Sequence, residues 1–210
     1  MKKFLLLPAL LFGMTAFAQE PNQQPQDEKP QMATPTLDKF EITQFGPYRF
    51  IGKSVYARAG GFCVTTKQSD IFGGLWKNSA WIFEALDNLK EYATDEVHNA
   101  ALLTWEKFDE KSKLLGYTVG RFMKADTPVP EGMDYFDIPA TFVGKGWVKA
   151  EPTDNTSFLK TDELTEKAIT QQNYNATSWK WSAEVYPAKK SAPDENGGLR
   201  YGTYINCEKQ

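Results

Sequence analysis

Histidine and cysteine are nearly missing from this chain: one His and two Cys occur in 210 residues. Zinc sites draw most of their ligands from these two types, so Cys63, Cys207 and His98 support a metal site poorly. His98 is also the sole imidazole for a Ser-His-Asp or Cys-His arrangement or for haem ligation, and its position after the first helical pattern reads as a surface loop. No cofactor is indicated. Basic stretches are missing as well. With 24 Lys and Arg against 27 Asp and Glu, nothing marks the concentrated positive surface that a phosphate backbone needs, which argues against nucleic acid as a partner.

Long apolar runs are confined to the N-terminus. Lys2 and Lys3 precede an apolar stretch from Phe4 to Phe12, and Ala16-Phe17-Ala18 gives the small-x-small pattern that signal peptidase cuts. A retained span needs about 20 apolar residues, whereas this stretch runs straight into Gln19-Glu20-Pro21. Residues 1–18 read as a signal peptide, and the mature chain as an exported monomer, periplasmic or secreted, without a membrane span. Residues 19–38, with four Pro and five Gln, have too little apolar surface to offset ordering entropy and read as a disordered spacer. The folded domain is expected over 39–210, a length sufficient for one core. An even Cys count in an exported chain suggests a Cys63–Cys207 disulfide; two buried thiols are the alternative.

What is present is a weak internal duplication. Phe50-Ile51-Gly52-Lys53-Ser54-Val55 is echoed by Phe142-Val143-Gly144-Lys145-Gly146-Trp147, and Phe40-Glu41-Ile42 by Phe136-Asp137-Ile138. After each copy comes a helical pattern, then a Glu-containing strand candidate (Trp105-Glu106-Lys107-Phe108 and Ala183-Glu184-Val185-Tyr186), then an aromatic strand. One helix is expected over about 70–90 from Ile71, Leu75, Ile82, Leu86 and Leu89, and a weaker one over about 161–172 from Leu164, Ala168 and Ile169. Strands are expected over 49–57, 101–108, 117–123, 133–138, 141–149, 179–186 and 201–207, each rich in aromatic or β-branched residues. The order indicates an α+β domain of two pseudo-symmetric units on a mainly antiparallel sheet, with a ligand cleft at the pseudo-twofold axis.

Phe40-Glu41-Ile42, Gly52 before an aromatic strand, Leu75-Trp76, Glu131-Gly132-Met133-Asp134 leading into Ile138-Pro139-Ala140, and Glu184-Val185-Tyr186 together resemble the GyrI-like small-molecule-binding domain, the effector-binding domain of AraC-type and MerR-type activators. The resemblance implies two βαββ units side by side, two helices on one face and a hydrophobic groove on the other, holding amphipathic and often cationic aromatic molecules. It implies that Glu184 lies in that groove. It also allows an alternative, hydrolysis of electrophilic small molecules by a groove glutamate. The chain departs from the family's regulators in having no helix-turn-helix segment.

Alternation along Trp179 to Tyr186 places Trp179, Trp181, Ala183 and Val185 on one face and Ser182, Glu184 and Tyr186 on the other. The aromatic helpers expected for Glu184 are Tyr186, Tyr56, Tyr117, Trp147 and Tyr204, since a carboxylate among aromatic rings holds an organic cation by charge and cation–π attraction together. Read without a ligand, Glu184 is a solvent-facing strand residue. Glu106 is the candidate second carboxylate if the site is hydrolytic. Asp194-Glu195-Asn196-Gly197-Gly198 lacks the ligand spacing of a calcium loop and reads as a hairpin turn.

Overall fold

The computed structural model describes residues 36–58, 67–96, 98–104, 114–150, 157–186 and 199–210. In chain order these form β1 (Leu37–Phe45), β2 (Tyr48–Arg58), α1 (Lys67–Lys77), α2 (Ala80–Asp87), a 3-10 turn (Lys90–Tyr92), β3 (Asn99–Thr104), β4 (Leu114–Lys124), β5 (Asp134–Ile138), β6 (Thr141–Ala150), α3 (Ser157–Gln171), β7 (Tyr174–Ala176), β8 (Trp181–Tyr186) and β9 (Leu199–Lys209). The domain is α+β, its strands joined in one antiparallel sheet ordered β1-β6-β9-β8-β3-β4-β2-β5, with β7 paired to the end of β9. The segment read as a signal peptide, most of the segment read as a spacer, Cys63, Glu106 and Asp194 to Gly198 lie outside the described residues. β1 starts at Leu37, so two residues read as spacer belong to the sheet.

The strand order is palindromic about the β8–β3 pair, as two copies of one unit require. An exchange accompanies it. β1, the leading strand of the first half, pairs with β6 of the second, and β5, which leads the second half, pairs with β2 of the first. The sequence echo, however, is out of step with the faces of the sheet. Phe50 packs in the core of the helix-free face, whereas Phe142 packs beside Ile169 of α3. A displacement of one residue exchanges the faces of a whole strand, so the halves repeat in topology and not in the residue equivalence expected from Phe50 and Phe142.

The first helical pattern folds as two helices. Asn78 Nδ2 donates to the Gly74 carbonyl at 2.9 Å and Ser79 Oγ to the Trp76 carbonyl at 2.7 Å. These side chains take up carbonyls that a continuing helix would have used, which ends α1 before α2 begins. Ile82 and Leu86 of α2 then pack on Ile51 and Met123. Among the described side chains of α3 the fully buried positions are Thr161, Thr165 and Ile169. Two of the three carry hydroxyls, which is why this helix reads weakly in the sequence.

All three helices lie on one face. The middle of the other face is filled. Phe45 of β1 lies 5.0 Å from Phe122 of β4, 5.8 Å from Trp181 of β8 and 5.9 Å from Tyr204 of β9, so distant strands curl toward one another and fill the space with rings. The edge-to-face pairs, Phe45 with Phe122 and with Tyr204, add about 0.5–1.5 kcal/mol each beyond the area they bury. Of the groove that the family resemblance implies opposite the helices, the middle is therefore filled by rings, while a cleft remains toward Phe136, Trp181 and Asn206.

Candidate functional site

Glu184 projects from β8 on the helix face, at the seam between the two halves. Its Oε2 accepts hydrogen bonds from the Tyr117 hydroxyl at 2.9 Å and the Tyr186 hydroxyl at 3.2 Å, and the Tyr117 oxygen accepts from Trp76 Nε1 at 2.9 Å. Each donor comes from a different place: Trp76 from α1, Tyr117 from β4, Tyr186 from β8 itself. Rings enclose the carboxylate. Phe72 lies 4.2 Å from Tyr117, Trp76 lies 4.7 Å from Tyr186, and Tyr201 lies 5.8 Å from Tyr186. Leu164 of α3 packs against the same cluster, so both halves contribute a helix to its rim. Burial and the neighbouring Glu184 carboxylate push both tyrosine hydroxyls well above their ordinary range, so they stay protonated and remain donors.

The structure thus brings Glu184, Tyr117 and Tyr186 together and sends the other expected helpers elsewhere. Trp147 and Tyr204 pack in the core of the helix-free face. Tyr56 is 41% exposed, and its ring approaches the side of Gly116 turned away from Tyr117. The alternation inside each strand is as expected; which face each strand turns toward Glu184 depends on pairing that local sequence does not encode. Trp76 and Phe72 were missed as site residues, although Leu75-Trp76 is among the motifs that carry the family resemblance.

A second carboxyl was also missed. Asp162 looks from the sequence like an acid at a helix start, yet α3 begins at Ser157 and Asp162 turns toward the sheet, accepting a hydrogen bond from the Thr203 side chain. Thr203 is the direct partner of Glu184 in the β8–β9 ladder. Desolvation, with Glu166 adding repulsion, raises Asp162 from 3.8 to about 6 despite the Thr203 hydrogen bond. The folded state therefore holds this proton more tightly than the unfolded state, and stability is lost as pH rises from about 4 through 6. Replacing Asp162 with Asn should raise unfolding free energy at pH 7.5 by about 2 kcal/mol, somewhat below the full value of such a rise because Asn is the weaker acceptor. The gain should vanish near pH 4. Urea melts at the two pH values check this; an equal effect at both would place the Asp162 carboxyl in water.

Two further groups depart from expectation. His98 is not on the surface: it is half-buried against Trp147 with ring centroids 5.3 Å apart, its Nδ1 has no hydrogen-bond partner, and burial lowers its pKa. Cys207 is buried beside Ile169 and Ile205, and desolvation pushes its thiol up to about 11. Among the described residues no group of three or more His, Cys, Asp or Glu side chains could hold a metal, and no helix is long and apolar enough to cross a membrane. A separate cleft of about 360 Å³ opens between Phe136, Thr141, Trp181 and Asn206 on the helix-free face, across the sheet from Glu184.

No family model matches the sequence, and no curated protein matches it significantly. Solved structures do match. SAV2435 bound to tetraphenylphosphonium superposes with a TM-score of 0.54 at 9% identity, over 81% of this chain and 94% of that one. A bacterial transcription regulation protein from Staphylococcus aureus MU50 gives 0.52 at 9% identity, over 81% and 98%. EcmrR in its DNA complex gives 0.50 at 11% identity, over 82% of this chain and 58% of that one. The fold is GyrI-like. This agrees with the architecture implied by the short motifs, and in the GyrI-like frame Glu184 stands where the two halves meet. At these identities the likeness concerns the fold alone, so the argument about a ligand rests on the side chains of this chain.

Proposed function

We propose that the protein is an exported small-molecule-binding protein that holds an amphipathic aromatic cation at the Glu184 seam. One observation carries the reading: a carboxylate on the sheet, fixed by two tyrosine hydroxyls and ringed by Phe72, Trp76, Tyr117, Tyr186 and Tyr201. Such a site offers a lipophilic cation both a counter-charge and ring faces, and offers a neutral molecule only the rings. The tetraphenylphosphonium bound by SAV2435, a neighbour in fold, belongs to this chemical class.

Tetraphenylphosphonium is accordingly the first probe. Its binding should quench tryptophan fluorescence saturably, because Trp76 borders the site. Glu184→Gln keeps the shape and removes the charge, so it should weaken the cation by about 1–3 kcal/mol, the scale of a lost charge-assisted contact. Neutral triphenylphosphine oxide should be little affected. Unchanged cation affinity in the folded variant would sink the reading. The hydrolase alternative needs a different outcome: catalysed consumption of a reactive electrophile that Glu184→Gln abolishes.

Export is the second half of the proposal and rests on Lys2, Lys3, the apolar run and Ala16-Phe17-Ala18. Protein recovered from the cell envelope should begin at Gln19 by mass spectrometry, and an intact Met1 on cytoplasmic protein would refute it. The structure has Cys207 as a buried free thiol, so the Cys63–Cys207 bond suggested by export is put to the test in the same preparation. Two alkylatable thiols in denatured, unreduced protein would exclude the bond.

A further inference from the structure

Across β6, β9 and β8 one row of the sheet runs Gly146, Thr203, Glu184, each the direct ladder partner of the next. Above it lies α3. Asp162 accepts from Thr203, and one turn further along α3 the Thr165 hydroxyl sits over Gly146, so close that a Cβ there would lie 1.9 Å from its oxygen. That hydroxyl is fully buried and has no hydrogen-bond partner. The Glu184 carboxylate reaches the opposite way, toward Tyr117 two strands over. Cross-strand side chains stand about 5 Å apart and a hydrogen bond adds about 3 Å, so the Asp162 carboxyl lies within about 10 Å of the base of the Glu184 side chain.

We propose that Asp162 is the second anionic pole of this site, and that the ligand class is a rigid aromatic dication, one charge at Glu184 and the other at Asp162, bridging the two halves of the domain. The inference rests on the small-molecule reading above and deepens it. A mono-cation engages Glu184 and the rings alone. A molecule with a second positive centre also compensates Asp162, which is held nearly buried, has no cation acting on it among the described residues, and has the unpaired Thr165 hydroxyl one turn along the helix. The groups that act on Asp162 are Glu166 on its own helix and Thr203 on β9; on the same face of the sheet β9 also carries Tyr201, β8 carries Glu184 and Tyr186, and β6 turns Phe142, Gly144, Gly146 and Val148. Below about pH 6 the Asp162 carboxyl is protonated and the second pole is lost.

The test compares two biaryls of matched shape, the dication 1,1′-dimethyl-4,4′-bipyridinium and the mono-cation 1-methyl-4-phenylpyridinium, by tryptophan quenching and calorimetry. At pH 7.5 the native protein should favour the dication by about tenfold, the worth of one further charge-assisted contact. Asp162→Asn should bring that ratio to about one by weakening the dication, and Glu184→Gln should weaken both. Lowering the pH to 5 should abolish the preference in the native protein, an arm that needs no variant to fold. If the mono-cation binds in a Glu184-dependent way but the dication gains nothing, or Asp162→Asn weakens both ligands alike, the two-pole inference fails and the single-cation reading stands. If neither ligand binds, both fail.

Discussion

Glu96→Gln should lower the stability of the domain by about 3 kcal/mol, and with it the Tm, because it strands a buried ammonium. Lys145 of β6 pairs with Glu96, and the two side chains are only 11% and 13% exposed. The other Glu96 oxygen accepts from the Tyr204 hydroxyl at 2.9 Å, and the Lys145 ammonium lies 4.9 Å and 5.2 Å from the Tyr204 and Phe45 ring centroids. Rings soften the loss of the carboxylate but do not replace it. The double change Glu96→Leu with Lys145→Met should cost much less than either single change, since replacing a buried pair with apolar residues is often close to neutral. Denaturant melts of the four proteins give the coupling. A cost under about 1 kcal/mol for Glu96→Gln would mean that water screens the pair as it does at a surface.

The same cluster shows what local sequence can and cannot reveal. Tyr204 and Trp147 look like partners for Glu184 because they are aromatic and lie on strands, yet they serve Glu96, Lys145 and the helix-free core. Alternation tells which residues of a strand share a face. It does not tell which face of a distant strand that is, since pairing is set by contacts across the whole sheet. The strands themselves were legible wherever β-branched and aromatic residues cluster, as in β2, β4, β6 and β9. β1 was not, because Leu37 and Asp38 share the composition of the spacer before them, and β7 is too short to show a pattern. The split between α1 and α2 hides in Asn78 and Ser79, polar residues on an otherwise apolar stripe. Asp162 escaped notice for a related reason: an acid near a helix start has a ready explanation in the helix dipole, and nothing local reveals that it turns inward.

Keeping Asp162 ionised in a dry setting costs stability, while the β-sheet beneath the site tolerates little change of its own. Gly52 and Gly120 face one another in the β2–β4 ladder. A Cβ added at Gly120 would lie 1.9 Å from the Ile51 carbonyl oxygen, and one at Gly52 2.0 Å from that of Val119. These neighbours are backbone atoms of a paired strand and cannot turn aside as a flexible side chain would. Gly120→Ala should therefore cost about 3 kcal/mol or more, at the upper end of overpacking effects. The loss should reach the site, because β4 carries Tyr117 three residues away and Tyr117 holds the Glu184 carboxylate. A folded remnant of Gly120→Ala should bind tetraphenylphosphonium more weakly than the parent, although no ligand contact has been removed. Gly73→Ala makes the opposite control: in α1 nothing among the described residues lies within 4 Å of the added methyl, so the lower entropy of the unfolded chain should stabilise the protein by about 0.5–1 kcal/mol. Thermal melts of the two variants should move in opposite directions. A Gly120→Ala protein that melts with the parent would show that β2 and β4 can part at this point without cost, and that Tyr117 owes its position to something other than their close approach.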